Sequence, residues 1–192
     1  MRTLAWLAAP VVLALGSMAV AAPPPSLSEP LNAPGFWTTP TVPGYGRIHY
    51  LKQDHFQPDP AKTYKVVFAL TQGARSRSAV NPALDHVARA VNLYVAAGVP
   101  LSHLKFVAIA YGAATPLAID NAHYHAKFGV DNPNLKLIAM LRKDGVDVAV
   151  CSQAVAEHGF QENWVSPAVT LALSGLTTVI NFQQAGYALM PL

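Results

Sequence analysis

The chain has 192 residues, 13 basic and 10 acidic side chains, a formal charge of +3 and one cysteine. Its lysines and arginines are scattered rather than gathered into a stripe, which argues against a nucleic-acid surface. A single cysteine excludes both an intramolecular disulfide and a Cys-x-x-Cys dithiol cycle.

The N-terminus reads as an export signal. Arg2 is followed by an apolar run from Leu4 to Val20, by the small-residue pattern Ala19-Val20-Ala21, and by Pro23-Pro24-Pro25. This order describes a secretory signal peptide over residues 1–21 and a periplasmic or secreted protein. The run is short of the roughly 20 apolar residues a membrane span needs. The later apolar stretch Leu171 to Phe182 is interrupted by Ser174, Gly175, Thr177, Thr178 and Asn181. The expectation is therefore no stable membrane span after signal cleavage. Residues 22–62 are rich in proline and carry a Gly44-Tyr45-Gly46 turn signal, which suggests a tether and then an extended arm. Phe36, Trp37 and Tyr45 are expected to pack that arm onto the domain or a neighbouring subunit.

Residues 63–192 read as one α/β domain. Tyr64 to Leu70 is a nearly continuous apolar run, as in a strand covered on both faces. Asn81-Pro82 opens a helix with Leu84, Val87, Val91 and Tyr94 on its core face. Gly98 ends it. Leu104 to Ala110 is the second strand, and Tyr111-Gly112 begin the loop at its carboxyl end. Ala114 to Val130 is a short helical or irregular connection. Asn132-Pro133 repeats the helix-start signal, with Leu137, Met140 and Leu141 on one face and Gly145 as the stop. Val146 to Val150 alternates valines with Asp147 and Ala149 as a short strand. Cys151 follows at once. Ser152 to Trp164 is a polar loop or short helix, Val169 to Leu173 a fourth strand, Gly175 to Ala185 a last helix, and Tyr187 to Met190 a closing strand. Such alternation predicts a single-domain, mostly parallel sheet with helices on both faces.

In a parallel sheet the carboxyl ends of the strands are where ligands bind, so Cys151 is the first candidate for chemistry. It is either a nucleophile or sulfur carrier, with the backbone N–H groups of Ser152 to Val155 facing an anionic sulfur, or a small buried hydrophobe. His123-x-His125, with Cys151 and with His158 and Glu157 to complete the set, is the alternative of a metal site, although one H-x-H does not define a ligand spacing. Dinucleotide and serine-hydrolase signatures are missing, so no cofactor is implied. Ser76 and Ser78, between Arg75 and Arg77, read as a solvated loop rather than an anion site.

The stretches YKVVFAL, NPALDHVARAVNLYVAAGVP, LKFVAIAYG, KFGVDNPNLKLIAMLRKDGVDVAVCSQA and SGLTTVINFQQAGYALMPL together resemble the DsrE/DsrF-like proteins, most closely their exported members, over roughly Tyr64 to Leu192. The segment DNPNL…GVDVAVCSQ is the most specific of them. The resemblance implies a compact α/β sheet that assembles into homo-oligomers. Relay members of the family carry sulfur as a cysteine persulfide between donor and acceptor proteins, and that role transfers to Cys151 only. On this reading the amides of Ser152 and Gln153 stabilise the anion, Tyr111 and Gly112 border the pocket, and Gln72 lies on the same rim. The function so implied is an exported carrier or transferase of sulfane sulfur. The alternatives are a non-enzymatic binding or assembly module with a structural cysteine, and a metal-binding protein.

Overall fold

Three apolar runs form the centre of the sheet. In the computed structural model, which describes residues 33–192, they are β1 (Tyr64–Leu70), β2 (Leu104–Ala110) and β3 (Asp147–Cys151). Cys151 is thus the last residue of its strand rather than the first beyond it. Two short strands, β4 (Thr170–Ala172) and β5 (Ala188–Pro191), form the edges. The order is β4-β3-β2-β1-β5 and every pair is parallel. The reading of residues 1–21 as a signal peptide, and the first part of the arm, lie outside the described residues.

Side chains alternate across a strand, and here both faces are covered. Phe68, Leu70, Phe106, Val148 and Val150 enter a larger core, whereas Val67, Val107, Ile109 and Ala149 enter a smaller one. That is why β1 and β2 read as nearly continuous apolar runs. Five helices connect them: α1 (Pro82–Ala96), α2 (Asn121–Phe128), α3 (Leu135–Lys143), α4 (Ser152–Glu157) and α5 (Gly175–Gln184). Leu84, Val87 and Val91 of α1 and Leu137, Ile138 and Leu141 of α3 fill the larger core. Val179 and Phe182 of α5 cover the smaller one. The division follows from winding direction. From β1 to β4 each strand is laid beside the previous one, whereas β5 returns to the far side of β1. Crossovers are right-handed, so reversing direction moves the connecting helix to the opposite face.

The helix starts are secured by buried asparagines. Asn81 Oδ1 accepts from the N–H groups of Ala83 and Leu84, and Pro82 occupies the first helical position, where no N–H is needed. The second Asn-Pro pair behaves differently: regular helix begins only at Leu135. Asn132 Oδ1 still accepts from the Asn134 N–H, but its Nδ2 donates to the carbonyls of Leu117 and Ile119. Asn134 Oδ1 in turn accepts from the Asn81 N–H at 2.7 Å, which joins the starts of α1 and α3.

The connection after β2 is a 3-10 turn, Gly112–Ala118, followed by α2. Asp120 caps α2, accepting from the His123 N–H at 2.9 Å and facing His123 Nδ1 at 2.7 Å. Partial burial pushes this carboxyl up, but the His123 N–H and ring and the Ala122 N–H outweigh it, and the group titrates below its ordinary range. A depressed carboxyl contributes stability above the unfolded value, about 4, and loses it as the pH falls through the lower folded value. Asp120→Ala should cost about 1 kcal/mol at pH 7. Urea titrations of both proteins should show that difference shrinking below about pH 4; a constant difference down to pH 2 would contradict the cap.

Residues Pro34 to Leu192 form one compact unit, because the arm lies on α1. Thr38 and Ile48 bridge antiparallel, and Val42 and Ile48 are buried. Tyr45 packs at the margin of the larger core. Phe36 stacks on His49 at 4.0 Å, and Arg47 lies over Trp37, both within the arm. Gly46 has φ +58°, and a Cβ there would stand 2.1 Å from the Arg89 amide nitrogen, so only glycine fits against the α1 backbone.

Candidate functional site at the carboxyl end of β3

Cys151 ends a strand whose Val148, Ala149 and Val150 are buried, and it pairs in register with Ala172 of β4. The chain turns there directly into α4. Cys151 is the N-cap, and its Sγ accepts the Ala154 N–H at 3.4 Å. The residue is 5% exposed and is not in a disulfide. Its strand parity is that of Ala149, so its side chain faces the α5 side of the sheet.

Cys151 opens onto a cavity of about 420 Å³. Tyr111 and Gly112 form one wall at the end of β2. Gly112 has φ +55°, a conformation that glycine adopts without strain, and this lets the chain break from β2 into the 3-10 turn. Gln153, Ala154 and Glu157 of α4 form a second wall. The third is the start of α5, Ser174 to Leu176. Ser174 caps that helix through its Oγ, which accepts the Leu176 N–H at 3.0 Å.

Of the residues singled out from the sequence, Cys151, Tyr111, Gly112 and Gln153 line this one cavity. Ser152 adjoins Cys151 but points elsewhere: its Oγ donates to the Leu173 carbonyl at 2.8 Å. Gln153 Nε2 donates to the same carbonyl at 3.2 Å, so the two side chains tie α4 to the segment between β4 and α5. Gln72 is exposed on the loop after β1, where its carbonyl accepts from Asn81 Nδ2, and it does not line the cavity. Sequence reading missed Glu157 as a wall residue and the Ser174-Gly175-Leu176 wall entirely. Ser-Gly before an apolar helix was a readable cap signal, but nothing local ties it to a cysteine more than twenty residues earlier.

Gly175 is required by the site rather than by its own helix. A Cβ there would lie 2.8 Å from Tyr111 Cδ1 and 2.9 Å from Cγ. Gly175→Ala should therefore push the Tyr111 ring aside and cost about 1–3 kcal/mol by overpacking. In a Tyr111→Ala background the same substitution should be nearly neutral, which a double-mutant cycle by urea denaturation checks. An undiminished cost in the double variant would rule out the contact.

The histidines of the H-x-H do not converge with Cys151. On helix α2, positions two apart face different directions. His123 faces Asp120 and stacks on Trp164 at 4.7 Å, whereas His125 Nδ1 lies 2.9 Å from Asp131. His158 Nε2 lies 2.9 Å from the Gly112 carbonyl, which only accepts, so that nitrogen carries the proton. Among the described residues no group of three or more His, Cys, Asp or Glu side chains is placed to hold a metal ion. Among the same residues no helix is long and apolar enough to cross a membrane.

Comparison with solved structures finds a protein of unknown function from Methanobacterium thermoautotrophicum at 19% identity, with a TM-score of 0.49. The match covers 67% of this chain and 99% of that one. A search of curated proteins gives no match. The family model of the DsrE/DsrF-like proteins matches residues 64–192, the whole of the sheet and its helices. The chain belongs to the DsrE/DsrF-like family.

Proposed function

We propose that this protein is an exported carrier of sulfane sulfur in which Cys151 holds the sulfur as a persulfide. The observation behind this reading is the position of Cys151, a lone thiol at the carboxyl end of a parallel sheet, facing a cavity of about 420 Å³ with the Ala154 N–H directed at its sulfur. The Cys151 thiolate attacks the outer sulfur of a donor persulfide R–S–SH. The donor S–S bond breaks, R–S⁻ leaves, and Cys151–S–SH forms with no net redox change. An acceptor thiolate then attacks the outer sulfur and regenerates the Cys151 thiolate. The anionic sulfur is the species that benefits from the Ala154 N–H, since hydrogen bonds to charged acceptors are the stronger ones.

The leader sequence supports export to the periplasm or beyond. An apolar rim supports docking of a thiol-bearing partner or a second copy of this chain, and homo-oligomers are part of the proposal. Leu173 and Leu176, beside the cavity, are 73% and 75% exposed, and Ile180 continues that face one turn along α5.

A binding module with a structural cysteine is the second reading, favoured by the burial of Cys151 at 5% exposure. Intact mass of the folded protein before and after a polysulfide donor separates the two. A cyanide-labile gain of about 32 Da per sulfur supports the carrier, because a persulfide is a reversible cap on a reactive thiolate. No gain, with the thiol also closed to alkylation, supports the module.

A further inference from the structure

We propose that the cavity next to the Cys151 site, which carries Arg75 and Arg77, binds the carboxylate of a small persulfide, so that this protein draws sulfur from acidic low-molecular-weight thiols. The inference rests on the carrier reading and adds the class of its substrate.

This second cavity, of about 340 Å³, lies at the same end of the sheet, between the loop after β1 and the turn after β2. The two cavities are lined by adjacent residues of the same two segments. Gly112 and Glu157 face the cysteine side, and their neighbours Ala113 and His158 face the arginine side. The bond between His158 Nε2 and the Gly112 carbonyl ties those segments together. Gly73 and Ala113 bring the two loops close together, since a Cβ at Gly73 would stand 3.3 Å from the Ala113 carbonyl.

The charges are divided between the two cavities. Glu157 supplies a carboxylate on the cysteine side. On the other side Arg75 and Arg77 line the cavity, and neither forms a salt bridge among the described residues. The Arg77 guanidinium carbon lies 4.4 Å over the Phe128 ring, a cation–π contact that helps hold the group in place. Guanidinium edges match carboxylates in a bidentate manner. A ligand with a carboxylate at one end and sulfur at the other is therefore oriented: Glu157 repels its charge, the arginines hold it, and the sulfur arm extends to Cys151. Sequence reading took Arg75 to Ser78 as a solvated loop because the opposite wall comes from Ala113, Pro116 and His158, far along the chain.

The test compares two donors on the chain lacking residues 1–21. One is glutathione persulfide, which carries two carboxylates; the other is the persulfide of 2-mercaptoethanol, which carries none. In each case Cys151 attacks the outer sulfur and the parent thiolate leaves, so the bond changes are the same, and each variant is compared with the parent chain on the same donor so that differences in donor size and thiol acidity cancel. The rate of sulfur loading is read by intact mass. The double variant Arg75→Ala/Arg77→Ala should slow loading from glutathione persulfide about tenfold, the scale of two partly exposed ion pairs. Loading from the neutral donor should stay within about twofold. Arg75→Lys/Arg77→Lys, which keeps both charges but loses the guanidinium forks, should recover only part of the preference. Equal slowing with both donors, or no slowing with either, overturns the proposal. No loading of the unmodified chain from either donor overturns the carrier reading itself, and the substrate assignment with it.

Discussion

Cys151→Ser should abolish sulfur loading while leaving the fold intact. The serine Oγ is smaller than Sγ and accepts the same Ala154 N–H that now ends on sulfur. Serine is also among the preferred helix N-caps, so stability should stay within about 1 kcal/mol of the parent. The chemistry, in contrast, disappears, because an alcohol is no nucleophile toward an S–S bond at neutral pH and forms no persulfide. Intact mass after a polysulfide donor should show a gain of about 32 Da per sulfur in the parent and none in the variant. Cys151→Ala provides the structural control. It leaves the Ala154 N–H without its acceptor and should cost about 1 kcal/mol that Cys151→Ser does not. A sulfur gain that survives in Cys151→Ser would place the reactive group elsewhere and sink the carrier mechanism.

The second large effect should come from Asn92→Ala, a site remote from the cysteine. Asn92 is wholly buried on α1. Its Oδ1 accepts the N–H groups of Thr41 and Val42, each at 2.9 Å, and its Nδ2 donates to the carbonyls of Tyr45 and Gly46, also at 2.9 Å. One amide thus satisfies four backbone groups of an arm that has almost no regular secondary structure of its own. Truncation leaves all four without partners. Each unsatisfied buried group costs about 1–3 kcal/mol, so keeping the arm in place becomes more costly than releasing it into water. Release caps the loss at the docking energy of the arm, and we expect about 3 kcal/mol in denaturant titrations. Limited proteolysis should cut the variant between residues 34 and 50 under conditions that spare the parent. Asn92→Asp should be no milder, since it keeps the acceptor for Thr41 and Val42 but sets a second carboxylate oxygen against the carbonyls of Tyr45 and Gly46 in a buried position. An arm that stays protected, with stability within 1 kcal/mol of the parent, would show that other contacts hold it.

The strands were readable from the sequence: β1 and β2 as continuous apolar runs, which burial on both faces requires, β3 as a short alternation of valines, and β4 and β5 as short apolar stretches within a residue or two of Val169–Leu173 and Tyr187–Met190. The start of α1 was readable because Asn81-Pro82 acts locally, within three residues. The same signal at Asn132-Pro133 misplaced the regular start of α3, because Nδ2 of Asn132 reaches Leu117 and Ile119, residues that adjacency in sequence does not reveal. Cys151, Tyr111 and Gly112 line one cavity because neighbouring parallel strands bring their carboxyl ends together, and Gln153 joins them from the first turn of α4, whereas Gln72 after β1 does not reach it.

What the sequence determined by itself was therefore the parallel α/β architecture and the thiol at the end of a central strand. Both rest on patterns within a few residues. Only the tertiary structure decided what surrounds that thiol. The reversal of winding direction after β4 carries α5 to the other face and sets Gly175 against Tyr111. The hydrogen bonds of Ser152 and Gln153 to Leu173 turn those side chains along the chain that follows β4, and the loop holding Gln72 is drawn toward Asn81. The arm became part of the domain through a buried amide on α1, the burial of Val42 and Ile48 and the close approach of Gly46 to the α1 backbone. These outcomes depend on contacts between segments tens of residues apart, made when the sheet brings them together, and no local period or motif encodes them.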